Sequence, residues 1–303
     1  MSIVVVGTVA FDSIEAPWGS VERAIGGSAT YFSLAASHFA QVKLIAVVGE
    51  DFCAEHRAIL EDRGVDLEGL VTERGGKTFF WRGRYGEDPN DRENIVTDLN
   101  CFEHFSPRLA KAHRSTRWLF LANMDPDIQA DILDQVQGKP FVGCDTQTFW
   151  IERKLESLRR VIGRVDALFV NDREARELSG RRNLVVAAQE ILRMGPKVLV
   201  LKKGEHGAFL FTKAFRFFAP AYPLSEVLDP TGAGDSFAGG FMGYLASVPA
   251  VDERYLRRAM IHGTITGSYA CESFSVERLR SVTRAHIATR FGELVDLVKI
   301  ELD

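Results

Sequence analysis

Short, continuously apolar runs alternate along the chain with longer stretches whose apolar positions recur at helical spacing. Ile3–Val6, Leu44–Val48, Trp118–Ala122, Phe141–Cys144, Ala167–Val170 and Val198–Leu201 read as strands. Ala29–Phe39, Ala54–Arg63, Asp127–Gln137, Ile151–Ile162 and Leu184–Arg193 read as the helices between them. Strands that are apolar throughout are buried on both faces, and crossover helices cover both faces of a parallel sheet. The pattern predicts an α/β fold around such a sheet. Asn123, Asp145, Asn171 and Lys202 each follow an apolar run directly. In open parallel sheets the strand C-termini line the ligand crevice, so one edge receives a set of polar side chains. Polar residues also simply begin loops.

Two segments break the alternation. Phe11 to Arg23 carries Pro17 and Trp18 where a crossover helix is expected. Thr78 to Leu99 reads as two extended runs, Thr78–Tyr85 and Asn94–Leu99, joined by a turn from Gly86 to Asp91. A hairpin set apart from the main sheet would form a flap over the crevice. Its aromatic residues Phe79, Phe80, Trp81 and Tyr85 need the core, a second chain or a ligand to cover.

Composition narrows the function classes. Of 303 residues, 46% are hydrophobic and 26% charged, an ordinary globular balance with material for a sizeable core. The formal charge is −4, from 37 basic and 41 acidic residues, and gives no sign of nucleic-acid or membrane-surface binding. Cys53, Cys101, Cys144 and Cys271 are far apart and form no CxxC pair, which argues against a disulfide framework or a zinc module. Ile3–Val6 breaks at Gly7, too short for a signal peptide, and no apolar run approaches the roughly 20 residues of a membrane span. A reduced, soluble, cytoplasmic protein is expected.

The strongest chemical signal is Asp229-Pro230-Thr231-Gly232-Ala233-Gly234-Asp235. Phe237, Ala238, Phe241, Met242 and Leu245 follow at helical spacing, so a helix begins near Asp235. Glycines entering a helix N-terminus let free amides approach a phosphate closely. An acidic residue there repels that phosphate unless it serves as general base for an attacking hydroxyl. The plainer reading makes Asp235 an N-cap. Rival phosphate motifs fail: Gly76-Lys77-Thr78 lacks the upstream glycine of a P-loop because position 71 is Val71, and Phe237 stands where a dinucleotide fingerprint has its third glycine. Gly26-Gly27-Ser28-Ala29-Thr30 departs from a nucleophile elbow at Thr30.

These residues resemble the PfkB, or ribokinase-like, carbohydrate kinases. Asp229–Asp235 with its glycine-rich helix looks like that family's C-terminal signature, and Gly26-Gly27 before a small-residue helix looks like its N-terminal one. Asn171-Asp172-Arg173-Glu174 matches its Asn-x-x-Glu motif, and Lys203-Gly204-Glu205-His206-Gly207 matches its Gly-x-x-Gly turn. The resemblance spans nearly the whole chain. It implies one ribokinase-like domain over residues 1–303: a central, mostly parallel sheet with helices on both faces, and a small β lid from segments at about 11–23 and 78–99.

It also implies roles. Asp235 would be the catalytic base, with the amides of Gly232, Ala233 and Gly234 holding the transferring phosphoryl group. Asn171 and Glu174 would hold Mg²⁺ through water beside the phosphates of ATP, although the same pair reads as a helix capping box. Lys202, Gly204 and Gly207 would border the nucleotide, although that turn alone is a hairpin between Val198–Leu201 and Ala208–Phe211. His262 falls near the family's adenine-side helix, where a lone histidine is also a common structural residue. On the acceptor side, Asp12 would bind substrate hydroxyls, and Gly26 and Gly27 would let the backbone approach. Tyr31 and Ala10 replace small polar groups of ribokinase itself, which counts against free ribose. Arg82 and Arg84 would suit a phosphorylated substrate.

The expected activity is ATP-dependent transfer of the γ-phosphoryl group to a hydroxyl of a sugar or of a nucleoside's ribose. The alternative is a non-catalytic sugar or nucleotide sensor on the same scaffold. Mg²⁺ is implied, and a monovalent cation and a homodimer through the lid are left open. The acceptor is not identified, though Tyr31, Ala10 and the aromatic lid tilt toward a nucleoside or an apolar-faced polyol.

Overall fold

Each of the apolar runs is a strand in the computed structural model, which describes residues 1–89 and 92–299. The N-terminal part runs β1 (Ser2–Val6), β2 (Ala10–Ala16), β3 (Gly19–Gly26), α1 (Ser28–Ala36), β4 (Gln41–Gly49), α2 (Ala54–Glu61), β5 (Asp66–Glu73), β6 (Phe79–Tyr85) and β7 (Arg92–Asp98). There follow α3 (Lys111–Arg114), β8 (Trp118–Leu121), α4 (Pro126–Gln135), β9 (Phe141–Asp145), α5 (Thr148–Arg153), α6 (Leu155–Ile162) and β10 (Ala167–Asn171). The remainder is α7 (Asp172–Ser179), α8 (Leu184–Arg193), β11 (Val198–Lys202), β12 (Ala208–Thr212), β13 (Arg216–Ala219), α9 (Ala233–Ser247), α10 (Glu253–Ala270), α11 (Glu277–Ser281) and α12 (Arg284–Leu297).

Nine strands form one sheet in the order β13-β12-β11-β10-β9-β8-β1-β4-β5. From β11 to β5 every pairing is parallel, and β12 and β13 join antiparallel at one edge. Alternate side chains of each central strand enter different cores. Ile3, Val5, Phe120, Phe169 and Val200 face the cluster shared with α1, α9 and α10, while Val4, Val6, Leu119, Leu121, Leu168 and Leu199 face the cluster shared with α4, α6, α7 and α8. Both faces being covered explains why these strands lack polar alternation.

The lid is larger than a single flap. Phe11 to Arg23, expected as a lid segment but not as a hairpin of its own, forms the β2–β3 hairpin, and β2 pairs in parallel with β6, giving a four-stranded sheet β3-β2-β6-β7. Asn90 and Asp91, within the turn expected after β6, lie outside the described residues. The stretch expected as one helix, Ile151–Ile162, is two, broken at Lys154, whose ammonium instead reaches Asp125 at 2.6 Å and Asp127 at 2.7 Å. Among the described residues no helix is long and apolar enough to cross a membrane.

Candidate active site

The 15-residue helix α9 starts at Ala233, capped by Gly232 at φ +75°, so Asp235 is the third helical residue rather than the N-cap. A side chain on Gly232 would carry a strained backbone and a Cβ overlapping the Tyr31 ring, so only glycine fits this corner. Upstream, the fully buried Asp229 carboxylate accepts from the amides of Thr231 at 2.8 Å and Ser275 at 2.9 Å, which fixes the loop entering the helix. The Ala233 amide, expected to face a phosphate, instead donates to Pro230 O at 3.2 Å, so it is the amides of Gly232 and Gly234, with the positive dipole end, that open at the strand C-terminal edge.

Three strand ends converge on that terminus. Lys202, last in β11, donates to Asp145, last in β9, at 2.8 Å, and its Nζ lies 3.0 Å from the point where Gly234 would carry a Cβ. Burial alone would lower the Lys202 pKa, but Asp145 and Glu174 outweigh it and raise it, so the ammonium stays charged. Asn171 and Glu174 form the capping box of α7 in full: Glu174 N donates to Asn171 Oδ1, and Asn171 N to Glu174 Oε2, each at 2.8 Å. Burial, and then the charge of Asp145, push Glu174 up to about 7. Asp235 is pushed up to about 8 by burial and Asp145, against the pull of Lys202. Gly204 opens a short 3-10 turn joining antiparallel β11 and β12, closed where Lys203 N donates to Gly207 O at 2.8 Å.

The acceptor side is built by the lid and α1. Asp12 lies on β2, buried, with its carboxylate against Gly26, where any Cβ would strike it. Burial and the charge of Asp229 raise Asp12 to about 7, although the Gly27 amide donates to it. Its charge is felt at Asp235 and at the Tyr31 hydroxyl. Tyr31 is buried and its hydroxyl has no partner among the described residues. Tyr85 of the lid reaches Thr231 Oγ1 at 2.8 Å, and the Trp18 indole donates to Leu228 O at 2.8 Å, so the lid is fastened over the Asp229–Asp235 loop.

Several expected residues lie elsewhere or are engaged. His262 faces Phe39, Tyr244 and Phe291 on the α12 side of α10, and no described contact links it to the turn Gly204–Gly207. Arg84 pairs with Glu15 at 2.9 Å and Arg82 with Glu22 at 3.9 Å, both within the lid. Phe79 packs toward Phe102, and Phe80 against the core. Asp145 was expected only as one of four polar strand ends, and Asp229 and Thr231 only as members of the glycine-rich motif, without roles of their own; Arg92 was not expected at all. Arg92, on β7, exerts its charge on Asp12, Glu174 and Asp235 together.

Among the described residues no group of three or more His, Cys, Asp or Glu side chains is arranged to hold a metal ion by itself. Asp145, Glu174 and Asp235 nevertheless outnumber Lys202, and the charge of Asp145 adds to burial in raising Glu174 and Asp235, so a hydrated divalent cation would suit these carboxylates. The glycine-lined helix terminus beside Lys202 suits a polyphosphate equally well.

These buried carboxyls also make stability depend on pH. Asp12, Glu174 and Asp235 hold protons in the fold that the unfolded chain releases near its ordinary values of 3.8 to 4.5, so their contribution is lost as pH rises through about 7 to 8. His38 and His262, lowered by burial to about 3 and 4, act oppositely, but only below the ordinary 6.5. The melting temperature of the ligand-free protein is therefore expected to fall between pH 6.5 and 8, less steeply in Asp235→Asn. A flat or rising profile in scanning calorimetry would contradict the burial described here.

A helix terminus suited to phosphate, an acidic side chain in its first turn and a lid fastened over the loop are compatible with phosphoryl transfer, and comparison with known proteins gives the family. The model of the pfkB family carbohydrate kinases matches residues 2–279. A cytidine kinase of Thermococcus kodakarensis is 30% identical over 256 residues, covering 82% of this chain and 90% of the relative. A nucleoside kinase of Methanothermobacter thermautotrophicus is 28% identical over 290 residues, 91% and 89% of the two chains. Among solved structures, Burkholderia thailandensis nucleoside kinase in complex with inosine superposes with a TM-score of 0.79 at 18% identity, covering 96% of this chain and 97% of that one. The chain belongs to the pfkB family, with a ribokinase-like fold. It is a phosphotransferase acting on a hydroxyl group, a sugar or nucleoside kinase.

Proposed function

We propose that the protein transfers the γ-phosphoryl group of ATP, with Mg²⁺, to a hydroxyl on the ribose of a nucleoside. The observation that carries this is the placement of Asp235 beside the amides of Gly232, Ala233 and Gly234, with Asp12 across the pocket and the lid fastened above. Asp12 accepts from the acceptor's hydroxyls and orients the ring. Asp235 takes the proton of the attacking hydroxyl, and the amides of Gly232 and Gly234, with Lys202 held by Asp145, meet the negative charge of the transferring group, joined by that of Ala233 if it leaves Pro230 O. Asn171 and Glu174, now paired in the capping box, would hold Mg²⁺ through water, and the ion would supply positive charge beside the phosphates; Gly204 and Gly207 border the nucleotide. Tyr85 and Trp18 keep water out by pinning the lid.

A nucleoside is favoured over a free sugar because the wall of the acceptor side is the aromatic Tyr31, with Ala10 at the start of β2, where small polar groups would serve a bare sugar. The cytidine and nucleoside kinases among its relatives support the same reading. The test is ADP release from Mg-ATP with ribose, fructose, fructose-6-phosphate, inositol, adenosine, inosine and cytidine. Release with one or more nucleosides, at least tenfold faster than with ribose, is expected. Turnover confined to sugars would reject the nucleoside assignment, and ligand binding without ADP release would favour a sensor.

A further inference from the structure

A groove of about 570 Å³ lies between the end of α1 and helices α9, α10 and α12. Tyr244, on its wall, is eleven residues beyond Ala233 on α9, about 16 Å along the axis from the phosphate-binding terminus at 1.5 Å per residue. The groove is therefore separate from the active site. Its size suits a small organic ligand.

The lining has a definite chemistry. His262 sits 4.3 Å from Tyr244, 4.9 Å from Phe39 and 5.1 Å from Phe291, ring centre to ring centre. His262 is tilted 32° from Tyr244 and 33° from Phe291, while Phe39 meets it edge-on at 64°. Neither ring nitrogen of His262 bonds another described group, and burial together with Arg258 keeps the ring neutral at pH 7. Arg258 makes no ion pair or hydrogen bond with a described residue, and Arg284 spends only its Nε, on His38 O at 2.9 Å. No acidic residue lines the groove. Uncompensated guanidinium groups at the mouth of an aromatic cleft recognise a flat ring bearing negative charge.

We propose that this groove is a second small-molecule site, for a nucleotide-class ligand whose heteroaromatic ring lies against Tyr244 and His262 and whose phosphate meets Arg258 and Arg284. It does not depend on which acceptor the active site uses.

The probes are CMP and AMP, titrated calorimetrically into the whole protein with the nucleotide site saturated by Mg²⁺ and a non-hydrolysable ATP analogue. One further site is expected for at least one probe, with the uncharged nucleoside binding it at least tenfold more weakly. Arg258→Glu and His262→Phe are each expected to weaken that site tenfold or more, and Asp12→Ala to leave it unchanged. Arg258→Glu should retain wild-type ADP release from Mg-ATP and the acceptor when no CMP or AMP is added, which establishes that it folds. Absence of a further site up to millimolar CMP and AMP would overturn the proposal. So would binding abolished by Asp12→Ala but not by Arg258→Glu, since that would place the probe in the acceptor pocket.

Discussion

Asparagine in place of Asp235 is expected to lower turnover about a thousandfold while leaving ATP binding within a few-fold of wild type. A positioned general base contributes roughly 10²- to 10⁴-fold, and asparagine keeps the size of the side chain but cannot take the hydroxyl proton. A thousandfold is about 4 kcal/mol of barrier. The same substitution removes a carboxyl that burial has pushed up to about 8, so at pH 8 the variant should melt no lower than wild type, and above it if the charge is costly. The measurements are ADP release with the best acceptor, calorimetric titration with Mg-ATP, and thermal melting. Turnover near wild type would remove Asp235 from the role of base. Lost turnover together with a collapsed melting temperature would instead assign it to the fold.

Alanine at Gly232 is expected to damage both stability and catalysis. The left-handed backbone costs about 1 kcal/mol or more for a residue with a Cβ, and overpacking against the Tyr31 ring adds about 1–3 kcal/mol. A shift of the loop misaims amides directed at developing charge, where losing one donor costs about 10²- to 10³-fold in turnover. Adding Tyr31→Ala to the same chain makes room for the new methyl group. The double variant should regain part of the melting temperature over Gly232→Ala alone but little of the activity, because the positive φ remains. Wild-type turnover in Gly232→Ala would mean that this corner does not aim the phosphate-binding amides.

Much of this arrangement was legible in the sequence because the central sheet is buried on both faces, which leaves uninterrupted apolar runs such as Trp118–Leu121. The edge strand β5 was missed because only Leu70 of Asp66–Glu73 is buried, and the strand mixes it with glutamate, glycine and threonine. The phosphate-binding terminus was legible because Asp229–Asp235 is contiguous, so local chain chemistry alone assembles it. Asp145 could be seen only as a polar residue at a strand end; its importance comes from pairing with Lys202, 57 positions away. Nothing local marks Arg92, whose reach depends on how the lid sheet is closed. His262 shows the limit of motif spacing. Resemblance alone put it near an adenine-side helix, but helical phase decides its surroundings: it lies about 140° around α10 from Arg257, which packs on Phe215 and Phe217.

The seat of Asp12 has a mechanical meaning. It is mounted not on the main sheet but on β2, hydrogen-bonded on both sides within the lid by β3 and β6. The carboxylate proposed to grip the acceptor therefore travels with the cover rather than waiting at the base. Tyr85 and Trp18 already tie that cover to the Asp229–Asp235 loop without an acceptor. Entry of the acceptor must therefore part these two bonds, and its exit carries the Asp12 grip away with the same element.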